Sequence, residues 1–302
     1  MTYSRIFDRR LLRVRRDRAA AGFARADFLK REAGVRLLDR LTDLNRHFET
    51  VVDLGAHVGT LVELRLIDSK TVTMISADLS PAMAAVAAGG GSPALAADEE
   101  ALPFAEGALD AVVSCLSLHW VNDLPGALMQ IRRALKPDGL LLASVLGGNT
   151  LIELREVLAA AELELTGGIS PRVSPFAEIP DLGGLLQRAG FALPVVDSDT
   201  LTVTYENLFV LMSDLRAMGE TNVVAERLRH PTRRAILMRA ADLYVTRFSN
   251  TDGRIPATFQ ILTLTGWAPH TSQQKPLNPG SAESRLADAL GGQEIRTGQK
   301  PA

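Results

Sequence analysis

Val51-Val52-Asp53-Leu54-Gly55-Ala56-His57-Val58-Gly59-Thr60 is the stretch on which the fold turns. Two β-branched residues and an acid run into Gly55, Gly59 follows four positions later, and Leu61-Val62-Glu63-Leu64-Arg65 can continue as a helix. A buried parallel strand, a tight turn and a helix N-terminus, in that order, form the place where an α/β sheet meets a nucleotide. Glycine suits the turn because the backbone there takes dihedrals that a side chain disfavours and comes close to the ligand.

Working outward, the run Thr71-Val72-Thr73-Met74-Ile75-Ser76-Ala77 reads as a second strand and ends in Asp78, an acid about 20 residues beyond the glycine turn. Nucleotide-binding sheets hold ribose hydroxyls there, and a carboxylate accepts two such hydrogen bonds at once. The competing reading of Asp78 is the N-cap of a helix beginning near Pro81. A short third strand is expected near Pro93-Ala94-Leu95, followed by Asp98-Glu99-Glu100 and Leu102-Pro103-Phe104. Acids in that place can accept from an exocyclic adenine amine, and an ordinary acidic turn is the bland alternative. Leu109 to Cys115 is the fourth strand, running into Leu116-Ser117-Leu118-His119-Trp120 at the carboxyl edge, where ligands sit. Asn122 is expected to cap a helix from Leu124 to Leu135, Lys136-Pro137-Asp138-Gly139 reads as a turn, and Leu140 to Leu146 is the fifth strand. Strands and helices alternating at this spacing predict an α/β, Rossmann-like, doubly wound and mostly parallel sheet.

On either side of that unit the pattern changes. Residues 1–47 read as a helical segment, with Ile6, Phe7, Leu11 and Val14 at helical spacing and a second apolar face around Phe28-Leu29 and Val35 to Leu41. Beyond Gly148 a helix is expected from Thr150 to Leu165, a short one capped by Asp181 and ending at Gly190, a strand at Leu201–Tyr205, helices over 206–218 and 223–247, and a long last strand from Ile255 to Trp267. The added helices are expected as a lid over the carboxyl edge. The domain therefore spans 48–270, with its core at 48–147 and its lid helices and last strands at 148–270. A tail at 271–302, rich in Gln, Pro, Gly and Ser, reads as disordered.

Composition narrows the function classes. The chain has 302 residues, 46% hydrophobic and 23% charged, which suits a sizeable core. A net charge of −2 gives no field favouring nucleic acid, and no run of about 18 apolar residues is present for a bilayer span. Cys115 is the single cysteine, so no internal disulfide or multi-cysteine metal site forms, and a cytoplasmic setting is expected. Met1 to Ala20 carries seven arginines and two acids without an apolar core, unlike a secretory signal, and is expected to dock as a basic helix. His47-Phe48-Glu49 fits the start of an iron-binding triad only formally, since it precedes the first strand, away from the ligand edge; no metal site is assigned.

The ordered set Asp53-Leu54-Gly55, Asp78, Asp98-Glu99 with Leu102-Pro103-Phe104, and Lys136-Pro137-Asp138-Gly139 resembles the class I S-adenosylmethionine-dependent methyltransferases over residues 50–146. A nearly end-to-end resemblance is carried by Ile6-Phe7-Asp8-Arg9, Phe28-Leu29-Lys30, Leu116 to Pro125, Gly147 to Leu151, Ser174-Pro175-Phe176, Leu186 to Phe191, Met218 to Asn222 and Ile255 to Ile261. That family is the mitochondrial NADH dehydrogenase (complex I) assembly-factor methyltransferase-like proteins, arginine hydroxylases among them, with their bacterial relatives. The malonyl-carrier-protein methyltransferases resemble it more distantly. The resemblance implies S-adenosylmethionine as cofactor, with its methionine end by Asp53, Gly55, His57 and Gly59, its ribose by Asp78 and Leu79, and its adenine by Asp98 and Glu99, the edge residues Ser117 and Leu118 completing the site. It also implies a protein substrate, a complex I subunit, reached in the cytoplasm or at the inner membrane through that partner.

The family usually has glycine where this chain has His57. Histidine tolerates positive φ better than most residues; its ring is expected to lie outward, the alternatives being contact with the cofactor carboxylate or partial obstruction. The catalytic candidates are His119, Trp120 and Asn149, with Glu153 and Glu220 behind them and Arg155 and Arg172 as anion holders. Each has a structural reading too, such as a buried strand end for His119-Trp120 and first-turn charge for Glu153. Three functions stay open: methyl transfer to a protein side chain, arginine hydroxylation on the same scaffold, and a non-catalytic assembly chaperone.

Overall fold

The computed structural model describes residues 5–64, 71–274 and 291–292. The expected tail falls almost wholly outside the described residues. Seven strands form one sheet in the order β3-β2-β1-β4-β5-β7-β6. They are β1 (Phe48–Leu54), β2 (Thr71–Asp78), β3 (Ala94–Ala96), β4 (Leu109–Cys115), β5 (Leu135–Leu146), β6 (Ala192–Tyr205) and β7 (Ile255–Trp267). The first five are mutually parallel, and β7 inserts antiparallel between β5 and β6. The order reverses between β1 and β4, so the switch point lies between Leu54 and Cys115, where such sheets take ligands.

Sequence explains the depth of each strand. Val51, Val52 and Leu54 of β1 and Ala111, Val112 and Val113 of β4 are all buried, the continuous apolar run of strands covered on both faces. Edge strand β6 instead alternates half-buried with exposed residues. One face packs against α2 (Phe28–Thr42), α6 (Ile152–Thr166), α8 (Leu208–Ala217) and α9 (Arg234–Phe248), and the other against α5 (Leu124–Ala134) and α7 (Ile179–Arg188). On α2 the positions Leu29, Ala33, Leu37 and Leu41 recur every turn and are buried; Leu37→Ala would cost about 2–5 kcal/mol by leaving a void. Helix α3 (Thr60–Glu63) is short, and α4 (Pro81–Gly89) starts at Ser80, whose Oγ accepts from Met83 N. The N-cap is thus Ser80 and not Asp78.

Several expectations are corrected. Asp123 caps α5 through Gly126 N, while Asn122 reaches across to both the N–H and the carbonyl of Phe7. Lys136 to Gly139 is a bulge inside β5: Leu109 pairs with Leu135 but Ala111 with Leu140, and Asp138 takes φ +64°. Helix α7 begins at Ile179 with Pro180 in its first turn, so Asp181 lies inside it. Residues 223–233 are not helical, and α9 starts only at Arg234. Helices α6, α8 and α9 form a layer over a sheet face as well as bounding the carboxyl edge. The N-terminal segment is α1 (Arg9–Ala19), a 3₁₀ stretch (Ala20–Arg25) and α2. On α1 the buried stripe is Leu12, Arg16 and Ala19, whereas Ile6 and Val14 of the expected apolar face are exposed.

Candidate functional site

The carboxyl ends of β1, β2 and β4 bring most of the expected cofactor residues together. Gly55 takes φ +76° and lies so near Ser117 that a Cβ on Gly55 would fall 2.1 Å from the Ser117 Cβ. Gly59 takes φ +83°. His57 takes φ +52°, and its N–H donates to Asp78 Oδ2 at 2.9 Å, while Asp78 Oδ1 accepts from Ser80 N at 2.8 Å. Glu99 Oε1 accepts from Ser117 Oγ at 2.8 Å. Leu118 is buried, and Leu79 packs beside Phe7, Leu12 and Trp120.

The His57 ring does not lie outward. It is 2% exposed and stacks on Phe23 with ring centroids 5.0 Å apart. Its Nδ1 lies 2.9 Å from the Lys30 ammonium, which also donates to the carbonyls of Gly55 (2.7 Å) and Cys115 (2.9 Å). The same Nδ1 lies 2.9 Å from the Gly55 carbonyl, so ring, ammonium and carbonyl form one tight cluster. Burial, then the Lys30 and Arg16 cations, hold the His57 pKa well below the ordinary value. Lys30 thereby ties the ends of β1 and β4 together across the switch point. Asp53 is wholly buried, and neither carboxylate oxygen has a hydrogen-bond partner among the described residues. Burial raises its pKa to about 7, Lys30 opposing and Asp78 reinforcing the shift. Burial likewise pushes the Cys115 thiol to about 11, as befits a small core residue.

Two arginines that the sequence reading left unassigned complete the cluster. The Arg16 guanidinium, 1% exposed, lies 3.4 Å from Asp78 Oδ2 and 3.5 Å from Glu99 Oε1, and donates to Ser117 Oγ at 3.0 Å. Arg9 donates to Asp98 Oδ1, Glu99 Oε2 and the Trp120 carbonyl. Burial alone would raise the Glu99 carboxyl, but Arg9 and Arg16 outweigh it and hold it at about 2. The acids assigned to ribose and adenine thus already carry intrachain cations. The donor set suits the cofactor, and the orphaned Asp53 carboxylate suits an absent polar partner. The space is tight: Asp53, Gly55, His57, Gly59, Asp78, Glu99, Ser117 and Leu118 are all buried, and of the residues expected to hold the cofactor only Leu79 and Asp98 are half-buried. In this conformation the cleft is closed.

A second space lies beside it. A cavity of about 630 Å³ is walled by apolar residues including Leu151 just before α6, Leu154 and Leu158 of α6, and Met212 and Leu215 of α8, with Arg15, Arg172, Arg216, Arg227 and Arg229 as its arginines. Small-molecule sites commonly enclose roughly 300–1,000 Å³. Glu220 lines this cavity and also a void of about 20 Å³ beside Phe23, Lys30 and His57. Its Oε2 accepts from Trp120 Nε1 at 2.8 Å and lies 3.5 Å from His119 Nε2. His119 and Trp120 are buried beneath it, Trp120 edge-on to Phe7 and His119 against Phe176.

Asn149 stands outside this group. It is exposed in the turn after β5, its N–H held by Gln260 Oε1 at 3.0 Å. Glu153 accepts from Thr258 N and Oγ1, and Arg155 donates to the carbonyls of Gly148, Thr150 and Ser174; both hold the start of α6 in place. Arg172 lines the cavity but pairs with Glu162, whose carboxyl it and Ser170 hold at about 2 against the effect of burial. His47 and Glu49 are exposed at the start of β1, the opposite end of that strand from the cleft. Arg9, Arg16 and Lys30 left one usable signal: Arg9, Leu12 and Arg16 recur at i, i+3 and i+7, the period of a buried helical stripe.

Comparison with known proteins bears on this arrangement. The methyltransferase domain family matches residues 52–143. The mouse protein called arginine-hydroxylase NDUFAF5, mitochondrial, is 44% identical over 284 residues, 92% of this chain and 81% of its own; the human protein of the same name is 43% identical over the same shares. A malonyl-[acyl-carrier protein] O-methyltransferase from Laribacter hongkongensis is 34% identical, covering 93% of this chain and 96% of its own. In structure, the YcgJ protein from Bacillus subtilis matches with a TM-score of 0.53 at 17% identity, over 78% of this chain and 99% of its own, a likeness of fold alone.

Proposed function

The chain belongs to the NDUFAF5 family of class I methyltransferase-fold proteins, and from that premise we propose that it is an S-adenosylmethionine-dependent enzyme acting on a protein side chain during assembly of NADH dehydrogenase. The observation that carries this reading is Glu220, a carboxylate set where the acid-lined strand ends meet the 630 Å³ cavity. Glu220 is the single acid among the residues lining that cavity, facing Arg15, Arg172, Arg216, Arg227 and Arg229, so within it a cationic acceptor would be held at Glu220 alone. Trp120 Nε1 fixes the carboxylate in place by occupying Oε2. Its negative charge suits a guanidinium acceptor, and a base beside such an acceptor takes up the proton it sheds. The substrate is a complex I subunit, met in the cytoplasm or at the inner membrane through that partner. Asp53, Asp78 and Glu99 at the ends of β1, β2 and β3 would hold S-adenosylmethionine, which would supply the methyl group.

A second reading is arginine hydroxylation on the same scaffold, favoured by the activity named for the mouse and human relatives. The closed cleft favours a third, an assembly chaperone without catalysis. Product mass separates the first two: one methyl adds about 14 Da and one oxygen about 16 Da to the modified subunit. Titration calorimetry separates the third. Binding of S-adenosylmethionine near micromolar, about −8 kcal/mol, supports an enzyme; no binding at millimolar concentration leaves a chaperone.

A further inference from the structure

The acids best suited to the cofactor are held by one helix of the same chain. Helix α1 reaches these acids at two points, Arg9 on Asp98 and Glu99 and Arg16 on Asp78, Glu99 and the neighbouring Ser117, and it reaches the start of α4 through Asp17 Oδ1 accepting from Ser80 Oγ at 2.6 Å. The partners of Arg16 are residues assigned to ribose, adenine and the strand edge. Helix and cofactor cannot hold them together. We propose that α1 is a latch: Arg16 occupies the ribose and base positions in the closed protein, and the Arg9–Ala19 helix must lift from the strand ends before the cofactor enters. The inference rests on the cofactor reading above.

Within the latch Arg9 pairs closely with Asp98 and Glu99, and Arg16 is the looser contact. Charge-assisted N–H···O bonds ordinarily span about 2.7–2.9 Å, whereas Arg16 meets both carboxylates at 3.4 and 3.5 Å. Its Nε is buried with no partner among the described residues, a donor whose desolvation is uncompensated. Ribose hydroxyls and an adenine amine would replace the arginine donors on these acids, and the two guanidinium groups would return to water. The apolar hold on α1 is limited: within the helix Leu12 and Ala19 are its buried apolar residues. Adjacent on the helix, Arg15 lines the large cavity and donates to Thr221 Oγ1 and the Asn222 carbonyl, so lifting α1 also opens that wall.

A cross-link tests this directly. In the double variant Asp17→Cys/Ser80→Cys the two new thiols replace side chains that touch, and Cys115, buried, is no competitor for mild oxidant. Calorimetry with S-adenosylhomocysteine is run on the oxidised and reduced forms of the full chain. The expected result is binding by the reduced form and at least a tenfold loss in the oxidised form, restored by reductant. A companion Arg16→Ala protein should bind about tenfold more tightly than the unaltered chain, with amide exchange in α1 already fast before ligand is added. Equal binding by oxidised and reduced forms overturns the latch and leaves the cofactor reading standing. Absence of binding in every form, Arg16→Ala included, overturns both.

Discussion

Two spaces lie side by side at the carboxyl edge of the sheet, and they are built in opposite ways. The cleft at β1, β2 and β4 is lined with Asp53, Asp78 and Glu99, yet it is shut, with Arg16, Lys30 and His57 packed among the acids. The neighbouring cavity of about 630 Å³ is walled by leucines and methionines together with Arg15, Arg172, Arg216, Arg227 and Arg229. Charged groups removed from water are matched by charge, and in the cleft Arg16 supplies it to Asp78 and Glu99. In the cavity the balance is reversed: its arginines share the lining with one acid, Glu220.

The comparison can be broken most severely at Asp78. Asp78→Ala removes the acceptor of two backbone N–H groups and the anion facing Arg16. Cofactor affinity should fall roughly a hundredfold, about 3 kcal/mol, measured by calorimetry. Glu220→Gln, at the junction, should lower turnover roughly a hundredfold while leaving cofactor affinity nearly unchanged, as expected of a group that meets the acceptor. Equal effects on both would place Glu220 in the cofactor cleft instead.

Asp53 sharpens the comparison through pH. Its folded pKa of about 7 lies above the unfolded value of about 3.9. Between those values the folded chain retains a proton that the unfolded chain has lost, so stability falls as pH rises from about 4 to 7 and levels off above. Asp53→Asn should abolish that fall and gain on the order of 2–4 kcal/mol at pH 8 relative to pH 4, seen as a thermal shift. Glu99 acts in the opposite sense. Held at about 2 against its ordinary 4.5, it contributes stability that is present above about pH 4.5 and lost as pH falls toward 2. The smallest effect belongs to His57→Gly. It empties the space against Phe23 and relieves a positive φ, and should tighten cofactor binding about fivefold, near 1 kcal/mol. No change in affinity would mean that the ring already leaves the cofactor's place clear.

Much of the sheet was legible because period and punctuation are local properties. Leu109–Cys115 and Ile255–Trp267 form strands over the expected residues. Lys136 to Gly139 has turn chemistry, yet the neighbouring strand keeps it inside β5 as a bulge. Asn122 is a good cap by type, but its side chain is spent on Phe7, 115 positions away, and Asp123 takes the role. In the site, Asp53, Gly55, Asp78, Glu99 and Ser117 converge as their places after the strands imply. Asn149 does not, because Gln260 holds its backbone in an exposed turn. The sequence shows Arg9 and Arg16 only as part of a basic helix, since nothing local tells that an arginine will be buried against acids 62 to 90 positions away.

By itself, then, the sequence determined the α/β order of elements, the glycine turn and the row of acids at strand ends, all of which follow from hydrophobic period and backbone preference within a few residues. Tertiary structure alone decided which charges meet. Lys30 across the switch point, Arg16 in the cleft and Glu220 between cleft and cavity are brought together by packing α1, α2 and the 218–222 loop against the same sheet edge. A charge is placed by its partner, and these partners lie far apart along the chain.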